Sequence, residues 1–177
     1  HGLAFKKEYL DSWRSDKKKN HHNILDSLAI HYLDLILFQM GTIKSSNYYP
    51  RLVSKKGDSY DTCRLALETV NASVIIYCSY ANPKINEIVI IGTNGYITIR
   101  DNKKEIFSPR DTFDPKGFFV KPPMIENKDF NFENEYIDSL KKSLEYFMEY
   151  VKNKKLIDLE NFDKGIMTTK LLIELKQ

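Results

Sequence analysis

A chain of 177 residues, 42% hydrophobic and 12% aromatic, carries enough apolar material for a folded core and too much for a disordered polymer. Its 27 basic and 24 acidic side chains leave a net charge of +3, too small an excess for a nucleic-acid-binding face. No stretch approaches the roughly 20 apolar residues of a membrane span, and the opening residues do not read as a signal peptide.

Residues 1–20 read as a short amphipathic opening anchored by Tyr9, Leu10 and Trp13, with Lys17-Lys18-Lys19 in a solvated loop. A long helix is expected from about Asn23 to Gln39, with Gly41 as its stop. Leu25, Leu28, Tyr32, Leu35 and Ile36 recur at helical spacing, and Ile24, Leu33 and Leu37 widen the stripe, so the helix reads as buried nearly all round. From Thr42 to about Asn102 the period becomes two. Asp61–Thr69 alternates as a half-buried strand, and Asn71-Ala72 turns it into a second one, Ser73–Tyr80, ended by Pro83. Ile85–Ile91 and Tyr96–Arg100 flank Gly92-Thr93-Asn94-Gly95, where Asn-Gly predicts a hairpin turn with positive φ at both central residues.

Residues 103–133 lose all periodicity among Pro109, Pro115, Pro122, Pro123 and Gly117, and read as an ordered loop with one short strand near Gly117–Val120. Two helices close the chain. Ile137, Leu140, Leu144, Phe147 and Val151 mark one over Glu135–Lys152, and the second runs from about Asn161 to Leu175. The order predicts a single α+β domain over residues 1–177: an open, mostly antiparallel sheet with helices on one face. Ile75, Tyr77, Val89 and Ile91 put apolar side chains on the other face, which is therefore expected to serve oligomerisation.

Chemistry concentrates on the first long helix. His31 and Asp34 stand three residues apart and share a face, and a stripe of Ser27, His31, Asp34 and Phe38 runs along it. The pair reads in two ways. It is either a buried histidine and carboxylate holding neighbouring elements together, or a carboxylate-oriented histidine able to exchange a proton with a hydroxyl-bearing substrate. A metal site drawn from His21, His22, Asp26 and His31 has only ordinary ligand types to support it, and no metal is expected. Nothing local sets a base against Ser27 or Cys63 as nucleophile. Cys63 and Cys78 fall in separate strands and read as free thiols of a reducing compartment, hence a cytoplasmic protein. There is no Gly-x-Gly-x-x-Gly, no Walker-type loop and no Cys-x-x-Cys.

Ile30-His31-Tyr32-Leu33-Asp34-Leu35 with Gly41 at the helix end resembles the Gly-x-His-x-Ile-Asp helix of the glucose–fructose oxidoreductase, inositol dehydrogenase and MocA (Gfo/Idh/MocA) group. Asp61-Thr62, Ser79-Tyr80-Ala81-Asn82-Pro83, Gly92-Thr93-Asn94-Gly95 and the late helix from Ser139-Leu140 to Phe147 follow in the family's order. The match spans nearly the whole chain but only the second half of such enzymes. The resemblance implies a C-terminal substrate-binding and dimerisation domain of an NAD(P)-dependent dehydrogenase acting on a sugar, polyol or nucleotide-sugar hydroxyl. NAD or NADP, and the catalytic lysine, would belong to an N-terminal Rossmann domain absent from this chain, which alone would be inactive. His31 would be the catalytic or substrate-contacting residue, Asp34 its orienting partner and Ser27 a substrate-binding residue. Ser27 stands where the family commonly has an aspartate. The rivals are an interaction module with a structural His31–Asp34 pair, or an unrelated α+β barrel open at one end.

Overall fold

A computed structural model describes residues 2–153 and 159–177. Its described residues form two compact units, one from the residues through Lys84 together with the C-terminal helix, the other starting at Ile85. The α+β reading holds, with five helices and antiparallel strands shared between two sheets.

The first unit opens with two one-turn helices, α1 (Lys7–Leu10) and α2 (Lys17–Asn20). Tyr9 is buried as expected, whereas Trp13 lies on the surface with the Arg14 guanidinium over its ring. An amphipathic stretch this short has one buried face, and Tyr9 takes it. The lysine run is exposed but helical, not a loop, because the Asp16 carboxylate caps it by accepting the Lys18 N–H at 2.9 Å.

The long helix forms over the expected residues with one irregularity. Residues Leu25–Ala29 make a π-turn, in which the Ile30 N–H donates to the Leu25 carbonyl five residues back, before α3 (Ile30–Met40) resumes. Gly41 ends it at φ +79°. The helix is not buried all round. Leu25, Ala29, Leu33 and Leu37 are buried, whereas His31, Asp34, Leu35 and Phe38 are exposed. The apolar residues outnumber what one sheet can cover, so the excess is left on the surface.

Strands β1 (Ile43–Arg51), β2 (Thr62–Thr69) and β3 (Ser73–Ser79) form an antiparallel sheet in that order. Cys63, Leu65, Leu67, Ile76 and Cys78 point to one face and join Ile24, Leu25, Ala29 and Leu33 in a single core, completed by Leu171 and Leu172 of α5 (Leu159–Glu174). Ile75 and Tyr77 lie on the opposite face, and Ile75 is 75% exposed.

In the second unit β4 (Glu87–Gly92), β5 (Gly95–Arg100), β6 (Lys103–Phe107) and β7 (Met124–Asp129) make a four-stranded antiparallel meander, followed by α4 (Phe132–Asn153). The predicted hairpin forms, but its centre is Thr93-Asn94, with Gly92 paired to Gly95. Positive φ falls on Gly95 alone there, at +141°, because among the described non-glycine residues only Lys55 and Asp101 have it. Strands β6 and β7 lie where a loop is expected. Lys103-Lys104-Glu105 and the wholly exposed β7 carry no apolar alternation, and their pairing is braced by charge, Lys104 meeting Glu126 at 2.5 Å. The strand expected near Gly117–Val120 reduces to one bridge between Phe113 and Phe119.

Candidate functional site

Two faces of the helix from Asn23 to Met40 carry polar groups, and the π-turn separates their roles. In an α-helix Ser27 would stack beneath His31. Within the π-turn Ser27 instead turns toward the packed side. The Ser27 hydroxyl donates to the Asn23 carbonyl at 2.5 Å and lies 3.0 Å from the Tyr80 hydroxyl at the end of β3. Asn23, fully buried, donates from Nδ2 to the Tyr9 hydroxyl at 3.2 Å. This chain of Tyr9, Asn23, Ser27 and Tyr80 ties the N-terminal turns, the helix and the sheet together. Burial holds the Tyr9 phenol above its ordinary pKa, so it stays a neutral donor and acceptor.

His31 is exposed, and among the described residues it has no hydrogen-bond partner. Asp34 does not reach it as a bonded pair. Its Oδ1 accepts the Thr168 hydroxyl of α5 at 3.0 Å, and Thr168 is itself buried. One turn further, the Lys164 ammonium sits 4.7 Å from the centre of the Phe38 ring. Helix α5 therefore braces the Asp34 side of α3 and leaves the His31 side open. Sequence reasoning missed Thr168 and Lys164, since no spacing links residues 134 positions apart.

The other candidate ligands go elsewhere. Asp26 pairs with Lys176 at 2.5 Å, His21 stacks on Tyr60 with ring centres 4.2 Å apart, and His22 Nδ1 lies 3.1 Å from the Tyr48 hydroxyl. Among the described residues no three His, Cys, Asp or Glu side chains converge on a metal. Burial drives the Tyr48 phenol far up from its usual pKa, which keeps it a neutral hydroxyl beside His22. Desolvation lowers His22, helped by His21 and Lys176, and desolvation with Lys17 lowers His21. With both folded pKa values below that of the unfolded chain, the unfolded state binds more protons between them. Stability is therefore full above about pH 6.5 and declines as pH falls through the folded values. A melting-temperature series from neutral to mildly acidic pH should show this fall, and His22→Gln should flatten it.

The family described as "oxidoreductase family, C-terminal alpha/beta domain", the Gfo/Idh/MocA C-terminal domain, matches residues 2–175. The chain belongs to this family. No curated protein matches it in sequence. Among solved structures, the Gfo/Idh/MocA domain here is similar to an oxidoreductase of Thermotoga maritima at 18% identity and TM-score 0.68, over 98% of this chain and 48% of the other. It is also similar to a Desulfitobacterium hafniense protein assigned to the NADPH-dependent oxidoreductases, at 13% identity and TM-score 0.71, over 98% and 50% of the two chains. GenD2 of gentamicin A biosynthesis, solved with NAD, gives 18% identity and TM-score 0.63 over 98% and 54%. These likenesses establish the fold, and the chain spans about half the length of the structures it matches.

The described residues of this Gfo/Idh/MocA domain do not build a Rossmann dinucleotide crevice. Every strand pair among the described residues is antiparallel, whereas a dinucleotide crevice is built on parallel βαβ units with a glycine-rich turn. No described helix is long and apolar enough to cross a membrane.

Proposed function

We propose that this chain is the substrate-binding and assembly domain of a cytoplasmic NAD(P)-dependent oxidoreductase acting on a sugar, polyol or nucleotide-sugar hydroxyl. Membership of the family and a span of about half its structural relatives support a division of labour. In it NAD or NADP is held by an N-terminal Rossmann domain of the parent, and this chain alone turns over nothing. The observation that carries the site is the open His31 on a helix braced from the other side through Asp34 and Thr168.

In this reading His31 hydrogen-bonds the substrate hydroxyl and takes its proton, while Asp34 holds the helix face in orientation. Ser27, half-buried beside Tyr80, binds substrate alongside His31 and helps fix the π-turn that aims it. The exposed apolar side chains Ile75 and Tyr77 on one sheet, and Val89 and Ile91 on the other, support self-association through a sheet face.

The test is His31→Ala in the full-length parent. Loss of a proton-exchanging group should lower kcat/KM by at least about a hundredfold with the fold intact. Unchanged turnover would reject the role. The Asp34–Thr168 bond favours one second reading, a non-catalytic assembly module in which the His31 face is only structural. That reading predicts unchanged turnover but altered sedimentation when Ile75 and Tyr77 are made polar.

A further inference from the structure

Cys63 and Cys78 are directly opposite each other on β2 and β3, and both side chains enter the same core. Both are free thiols, Cys63 fully buried and Cys78 4% exposed. Their side chains therefore face each other across the ladder inside one core. We infer that this opposed, buried pair is a reversible oxidation site, in which a peroxide-class oxidant converts the two thiols of the folded chain to a cross-strand Cys63–Cys78 disulfide.

The register decides what kind of bond it would be. The Tyr80 N–H donates to the Asp61 carbonyl at 2.8 Å, and the Thr69 N–H donates to the Ala72 carbonyl at 2.8 Å. Those pairs lie an even number of residues from Cys63 on either side, which sets Cys63 and Cys78 at a hydrogen-bonded site of the ladder. Such a pair has Cα atoms about 5.5 Å apart, inside the disulfide range of about 4.4–6.8 Å. Its Cβ atoms, at about 5.5 Å, exceed the roughly 3.5–4.5 Å a relaxed disulfide needs. The bond therefore forms only with the strands drawn together, which makes it strained and easily reduced. That favours a reversible site over a permanent staple.

The chemistry balances with hydrogen peroxide as oxidant. Cys78 is the less completely buried of the two, so peroxide reaches it first and it is the first nucleophile. Its thiolate attacks one peroxide oxygen, the O–O bond breaks and hydroxide leaves, taking up a proton as water, to give a sulfenic acid. The Cys63 sulfur then attacks that sulfur, its proton goes to the departing hydroxyl, and a second water leaves. Two thiols have lost two protons and two electrons, and the peroxide is reduced to two waters. Burial makes the first step slow, because the helical layer of Leu25, Ala29 and Leu33 must lift from β3 to admit peroxide. The oxidised strands lie directly beneath the helix that carries His31.

The test is peptide mapping of the 177-residue chain after hydrogen peroxide treatment without denaturant. The expected product has lost two hydrogens, carries one Cys63–Cys78 cross-linked peptide pair, stays monodisperse and returns to the starting mass with a dithiol reductant. Cys78→Ala should abolish the cross-link, and Cys63→Ser should leave a trappable sulfenic acid on Cys78. Should either variant fail to fold, the wild-type mapping by itself decides. Separate sulfinic acids, cross-links between chains, unmodified thiols, or a disulfide that appears only in denaturant would each overturn the inference. None of these readouts depends on catalytic activity, so they stand apart from the proposed function.

Discussion

Replacing Asp61 with alanine should destabilise the chain by about 3–5 kcal/mol, read as a lower midpoint in chemical denaturation. Asp61 precedes β2 and is completely buried, yet it is a carboxylate. It is tolerated because its oxygens are fully occupied. Oδ1 accepts the Val53 N–H at 2.9 Å and the Thr62 hydroxyl at 2.9 Å, and Oδ2 accepts the Ser54 N–H at 3.0 Å. The residue thus holds the long connection from β1 to β2 closed. Hydrogen bonds to a charged group contribute about 1.5–3 kcal/mol each, and a buried donor left without its acceptor costs about 1–3 kcal/mol. Alanine would orphan the amide of the buried Ser54 and release that of the more exposed Val53 to water. Asparagine keeps one acceptor oxygen and should fall between alanine and the wild type. A midpoint unchanged by Asp61→Ala would mean that water satisfies those amides equally well.

Gly95→Ala should damage the second unit by about 3 kcal/mol or more, seen as faster hydrogen exchange across β4, β5 and β6. Two causes act together. The residue sits at φ +141°, a conformation that side chains resist, and a Cβ there would collide with the Phe107 carbonyl oxygen. That oxygen belongs to the backbone of β6, so the clash cannot be relieved by a rotamer change. The close approach itself is stabilising in the wild type, because it lets Tyr96 stack on Phe107 with ring centres 4.6 Å apart. Exchange rates unaltered by the substitution would show that the hairpin can reopen at little cost.

Much of the fold was legible where side-chain burial repeats with a regular period. Cys63, Leu65 and Leu67 alternate because β2 has one buried face, and the helix to Met40 shows itself by its apolar excess. The hairpin between β4 and β5 was legible from its glycines, although Asn94-Gly95 suggested the wrong central pair. Strands β6 and β7 were not legible, because strands with little buried face need no apolar alternation and are held by backbone bonds and ion pairs such as Lys104–Glu126. The π-turn was equally hidden. It depends on how Leu25 and Ala29 seat in the core, not on any local preference of Leu-Asp-Ser-Leu-Ala.

The candidate site shows the same division. Spacing set His31 and Asp34 three residues apart on one helix, but the docking of α5 gives them different surroundings. Spacing left burial or exposure of the pair open, and the structure leaves both side chains exposed, since exposure depends on what else packs against the helix.

The sequence by itself determined the α+β class, the family resemblance, the main helices and the strands with a buried face. These follow from local periodicity and from residue types in order. Only the tertiary structure decided that Asp34 answers to Thr168, that Ser27 belongs to the Tyr80 network, and that Cys63 meets Cys78. Each of those depends on a contact between residues far apart in the chain, set by strand register and helix docking, which no local pattern encodes.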